Sequence, residues 1–112
     1  MRNQGNSRSL PPRPGAKTIK APAHLDVTER LMWRQMQSAH RFDDPASLAL
    51  LRTALEAHMR GRRCRQAIDK DGETLPDRFG QVKPHPLLPA ERDARAGFLS
   101  AMKILGLDLT GN

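Results

Sequence analysis

The chain has 112 residues and a mass of 12.5 kDa, with formal net charge +7 and only 4% aromatic residues, none of them tyrosine. A body this small buries roughly 60–65% of its unfolded surface, which suits one modest domain and disfavours an enzyme with a deep pocket of its own. The single cysteine, Cys64, excludes an internal disulfide, and no apolar run nears the ~18 residues of a membrane span. The N-terminus also lacks the apolar stretch of a signal peptide, so a cytoplasmic location is expected.

Charge is unevenly placed. Residues 1–24 carry Arg2, Arg8, Arg13, Lys17 and Lys20 and no acid, whereas the remainder holds 14 basic and 12 acidic side chains. A lead rich in Asn, Ser, Pro and Gly buries too little apolar surface to fold, so residues 1–24 are expected to form a disordered basic arm. Its bland role is a solvated leader; its sharper role is an arm that neutralises phosphates. Residues 25–109 then form the helical body, and 110–112 a short tail.

The first helix is expected over Val27 to about His40, with Asp26 as its cap and Glu29 completing a capping box. Met32, Trp33, Met36 and Ala39 recur at helical spacing, and Trp33 is assigned to the core. The segment "RFDDPAS" breaks the chain, and Asp44 followed by Pro45 opens a second helix, which runs to about Ile68 or Asp69.

That second helix carries two apolar stripes. At 100° per residue, Leu48, Leu51, Leu55 and Met59 share one sector, and Leu50, Ala54, Ala57, Gly61, Cys64 and Ile68 share another, nearly opposite. A helix lying on one core needs a single apolar face, so two stripes imply cover on both sides. The small-residue stripe is read as an interface between copies, with a fully internal central helix as the alternative. Because the first stripe turns polar at Arg62 and Gln66, the helix is expected to project beyond its own core.

Between the stripes lie Arg52, Glu56, Arg60 and Arg63, and "RGRRCR" places four arginines in six residues near the helix end. Cations there favour the helix dipole, but four exceed that need. Arg52, Arg60, Arg62, Arg63 and Arg65 are therefore candidate phosphate contacts, together with the five basic residues of the lead. Beyond them, Asp71-Gly72 marks a turn, and Pro76, Pro84 and Pro86 allow at most a short two-stranded hairpin around Gly80. A third helix is expected from about Pro89 to Leu105, with Ala94, Phe98, Ala101, Met102 and Leu105 as its apolar stripe. Gly106 suits a left-handed closing position, with Leu107 packed back on Met102. The fold class is thus mainly α: three helices, a long one in the middle, and a proline-rich linker or hairpin.

No Gly-rich phosphate loop, GxSxG or HExxH is present. His24, His40, His58 and His85 are scattered, and Cys64 has no partner thiol at metal spacing. No catalytic group, metal or cofactor is expected, which leaves binding. Few aromatics argue against a single-strand stacking platform, while helical arginines and a basic arm suit a duplex backbone.

The order of segments resembles the terminase small subunits of tailed phages: a basic Pro-rich lead, "LDVTERLMWRQM", a long helix after "DDPASLALL", then "DRFGQVKPHPLL" and "ERDARAGFLSAMKILGLD". The likeness covers roughly residues 20–109. It implies a ring-forming homo-oligomer in the cytoplasm of the infected bacterial host. Such a subunit recognises double-stranded viral DNA and passes it to the large terminase subunit, which owns the ATPase and nuclease. On that view the prolines of residues 80–88 hold the last helix at a set angle to the long one, favouring ring closure. The competing reading is a helix-turn-helix regulator that binds operator DNA as a dimer, although a helix opening "PASLALLRTAL" is a poor groove reader. A third is an adaptor whose basic lead binds acidic protein surfaces.

Overall fold

The computed structural model describes residues 19–107. In chain order they form α1 (Val27–His40), α2 (Pro45–Asp71), β1 (Thr74–Pro76), β2 (Val82–Pro84) and α3 (Leu88–Ile104). The expected mainly helical architecture is observed, and the proline-rich linker is a hairpin. Residues 1–18, which carry Arg2, Arg8, Arg13 and Lys17, and residues 108–112 lie outside the described residues.

The ends of α2 follow from its terminal residues. Asp44 is extended and its carboxylate accepts the Ser47 amide at 2.9 Å, while Pro45 occupies the first turn, where no amide is needed. Gly72, at φ 94°, closes the helix by donating to the Ile68 carbonyl. The start of α1 differs from the expected capping box. Asp26 makes no side-chain cap, because Arg62 and Arg63 take its carboxylate. Glu29 is fully buried and turned onto α2 instead. Ala39 is exposed, and Gln37 takes the buried position on that turn.

One core joins all three helices and contains Leu25, Trp33, Phe42, Leu51, Leu55, Met102 and Leu105. The Leu48–Leu51–Leu55–Met59 stripe packs into it as expected. The small-residue stripe is covered by α3 of the same chain, which corrects its reading as a contact between copies. α3 runs antiparallel to α2: His58 meets Phe98, Gly61 meets Ala94, and Arg65 meets Glu91. Ala54, Gly61, Cys64 and Ile68 are buried and Leu50 and Ala57 half-buried within one subunit. Ile68 lies near the far end of α2 and is fully buried, so the helix does not project beyond its own core. Small side chains at Ala57, Gly61, Ala94 and Gly97 bring two helices of one chain together, the alternative that the stripe alone left open.

The hairpin pairs Thr74 with Pro84, Leu75 with Lys83 and Pro76 with Val82. His85, in the middle of "KPHPLL", ties it to both neighbours. Its amide donates to the Glu73 carbonyl, its Nδ1 accepts the Leu87 amide, and its Nε2 donates to Asp71 Oδ2 at 3.0 Å. That acceptor role fixes the Nε2-protonated tautomer. The buried imidazole therefore sets the corner between α2, hairpin and α3, while Pro84 and Pro86 are exposed beside it. α3 closes as expected: Gly106 is at φ 83°, its amide donates to Lys103, and the Leu107 amide reaches Met102 at 2.8 Å.

The body starts earlier than residue 25. Trp33 Nε1 donates to the Ile19 carbonyl at 2.9 Å, Ala21 packs on the core, and His24 meets Glu56 at 2.7 Å. The assignment of residues 19–24 to a disordered arm is thereby corrected. Among the described residues, no helix is long and apolar enough to cross a membrane.

Candidate nucleic-acid interface

With α1 and α3 covering its two flanks, α2 presents one ridge to solvent. Ala49, Arg52, Thr53, Arg60, Arg63 and Lys70 are exposed on it, and they fall within about 100° of arc. Small side chains alternate with long cations, a surface that a polyanion can approach closely. Arg52 and Arg60 are about 12 Å apart along the axis. Neither has a hydrogen-bond or ion-pair partner among the described residues, and the same holds for Lys20 and Lys70. Glu56, the one acid on the ridge, is engaged by His24. A recess of about 370 Å³ joins this ridge to the chain entering α1, with Lys20 and Arg52 both on its wall.

The other candidate arginines are already committed. Arg62 lays its Nε and Nη2 across the two oxygens of Glu29 at 3.0 and 2.9 Å, and reaches Asp26 at 2.6 Å. Arg63 forks onto Asp26 at 3.0 and 2.6 Å. His58 Nδ1 donates to Glu29 at 2.6 Å. This network fastens the start of α1 to the middle of α2. Arg65 lies 3.5 Å from both Asp69 and Glu91 and 3.7 Å from Glu73, bridging α2 to α3 and to the hairpin base.

Electrostatics follow the geometry. Burial pushes the Glu29 carboxyl upward, but hydrogen bonds from Arg62 and His58 outweigh it and hold the group below the usual carboxylate range. The Arg63 hydrogen bond, with Arg62 adding to it, holds Asp26 below its ordinary value. Glu29 and Asp26 are thus ionised throughout the neutral range, and Arg62 is held by buried charge. Among the described residues the four-arginine run therefore divides into one cation without a partner, Arg60, and three structural ones.

The sequence reading missed Lys70, although the angular reading that found Arg52 and Arg60 places it on the same ridge. It also missed that the acids opposing Arg62 and Arg63 lie over thirty positions upstream, where no local pattern reveals them. A second groove, of about 450 Å³, lies between α2 and α3 on a floor of Ala57, Gly61, Phe98 and Leu99. Its rim arginines, Arg62, Arg65 and Arg95, are each paired with acids. Among the described residues no group of three or more His, Cys, Asp or Glu side chains is placed to hold a metal.

No protein-family model, curated protein or solved structure matches this chain.

Proposed function

We propose that this protein binds duplex DNA through the outer ridge of α2, without catalysis of its own. The observation that carries the reading is the pair Arg52 and Arg60, exposed, without a partner among the described residues, and flanked by Ala49 and Thr53. Their axial separation, about 12 Å, is near the width of the major groove, so a helix laid across it sets one guanidinium at each phosphate wall. Lys20 and Lys70 extend the positive field around them, and the sequence before residue 19 supplies four further cations and no acid. Such contacts position a protein on DNA without reading sequence.

Taken with the resemblance in segment order, the biological role we propose is that of a small terminase subunit in the infected host's cytoplasm. It would recognise viral DNA and hand it to the large subunit. Its self-assembly cannot use Ala54, Gly61 or Ile68, which its own chain buries. The surfaces left for a sister copy carry Val27 and Leu31 on α1 and Leu99 and Ile104 on α3, all exposed. The helix-turn-helix alternative is weakened by the start of α2, where Ser47, Leu51 and Ala54 are buried and Arg52 is the sole long polar side chain outward in two turns.

A salt titration of duplex binding tests the central claim. Log affinity is expected to fall linearly with log salt, with a slope near −0.9 for each phosphate neutralised. Affinity that salt leaves unchanged, or no binding at low salt, sinks it. Native mass spectrometry separates a many-membered assembly from the dimer a regulator requires.

A further inference from the structure

The hairpin between α2 and α3 is built to display side chains. Phe79, at its tip, is 76% exposed, more than any other large apolar side chain among the described residues. The Arg78 guanidinium lies over its ring, 4.9 Å from the centroid. Lys83 is exposed and has no partner among the described residues. The adjacent acid, Asp77, is spent inside the turn: its Oδ1 accepts the amides of Phe79 and Gln81 at 2.8 and 2.9 Å. Glu73, at the base, faces Arg65. Asp77 keeps its charge, but Arg78 and Lys83 outnumber it, so the tip is net positive and aromatic at once.

It is also held still. Gly80, at φ 80°, closes the turn, its amide donating to Asp77, and His85 pins the base to Asp71 and Glu73. Each strand is three residues long and ends in a proline, Pro76 or Pro84. A strand that short, with an amide missing, is a poor template for adding another strand. Recognition by main-chain pairing is disfavoured, and side-chain recognition remains.

We propose that the Arg78–Phe79 tip, with Lys83 beside it, is a second duplex-DNA contact. This rests on the DNA-binding reading of α2, whose ridge runs through Lys70 to the point where the hairpin begins. A two-stranded ribbon fits a DNA groove. Arg78 supplies a charge-assisted hydrogen bond to a phosphate, and the Phe79 ring lies against the sugar and base edge. The stacked ring restricts the guanidinium, so little order is lost on contact.

The test is fluorescence anisotropy with a labelled duplex at several salt concentrations, comparing the parent chain, Arg78→Ala, Phe79→Ala and the double variant Arg52→Ala/Arg60→Ala. Both tip side chains are exposed, so the variants should keep the parent's melting temperature. Arg78→Ala is expected to lower the salt slope by about one. Phe79→Ala is expected to weaken binding about fivefold with the slope unchanged, because a ring contact releases no counterion. If both tip variants bind like the parent while the α2 variant loses affinity, the tip proposal fails and the ridge stands. A parent chain that binds no duplex overturns both. A reduced sedimentation mass of DNA-free Phe79→Ala overturns the tip proposal in favour of a contact between copies.

Discussion

Gly61 of α2 faces Ala94 of α3 so closely that a methyl group added to Gly61 would lie 3.5 Å from the Ala94 Cβ. That is ordinary van der Waals contact, and the next nearest atoms, Arg95 N and Glu91 O, are at 3.8 and 4.0 Å. The contact accepts one added carbon without a shift of either helix. Glycine inside a helix costs about 0.5–1 kcal/mol relative to alanine. Gly61→Ala should therefore stabilise the protein by about that amount, raising the melting temperature by a few degrees. Gly61→Leu should destabilise it by about 1–3 kcal/mol through overpacking. Thermal and urea unfolding decide; a destabilised Gly61→Ala would mean that the two helices do not meet as described.

Glu29 supplies a pH dependence of known sign. Its carboxyl titrates lower folded than unfolded, so between those two values the unfolded chain binds more protons and stability rises with pH. The contribution is fully present above about pH 4.3, the ordinary value for glutamate, and is lost as pH falls through the folded value. Asp26 shifts in the same direction. Glu29→Gln should cost about 2 kcal/mol at pH 7, as hydrogen bonds to charged groups are lost, and should flatten the acid limb of stability against pH. A variant as steep below pH 4 as the parent would assign acid sensitivity elsewhere.

The arginines of α2 separate into two classes with opposite signatures. Arg52→Ala/Arg60→Ala should reduce the magnitude of the salt slope of duplex binding by about two while leaving unfolding nearly unchanged. Arg62→Ala should do the reverse, lowering stability by about 2 kcal/mol because Glu29 stays buried without its fork. Binding and unfolding measured on the same preparations give the answer. Equal slopes for the parent and the Arg52/Arg60 variant would remove the ridge as a phosphate contact.

His85, more than its flanking prolines, should govern the corner before α3. His85→Ala removes the acceptor of the Leu87 amide and the donor to Asp71, at a cost of about 1–3 kcal/mol. Pro86→Gly acts mainly by loosening the unfolded chain, at about 0.4–1 kcal/mol. Amide exchange across residues 73–88 should quicken much more in the first variant. The opposite ranking would return the hinge to the prolines.

Local signals proved legible to the residue or nearly so. Asp44-Pro45, Asp71-Gly72 and Leu105-Gly106-Leu107 mark helix ends because they satisfy or remove orphan backbone groups within a few positions. The two stripes of α2 were equally readable, and both are covered. Periodicity records that a face is buried and says nothing of what buries it, so it does not tell a sister copy from α3 of the same chain as the partner of Ala57 and Gly61. The same blindness applied to charge: Arg62 and Arg63 look free until α1 folds back and sets Asp26 and Glu29 against them. His85 carried no pattern at all, since a lone histidine between prolines gains its role only from Asp71 and Leu87 in space.

Trp33 gives this protein a private optical channel. With no tyrosine and three weakly emitting phenylalanines in the chain, ultraviolet emission is dominated by one indole, buried and bonded through its N–H to the Ile19 carbonyl. Detachment of residues 19–24 would wet that ring and shift its emission to the red. A single cuvette measurement can therefore follow the entry segment separately from helical content, during unfolding or while a nucleic acid is added.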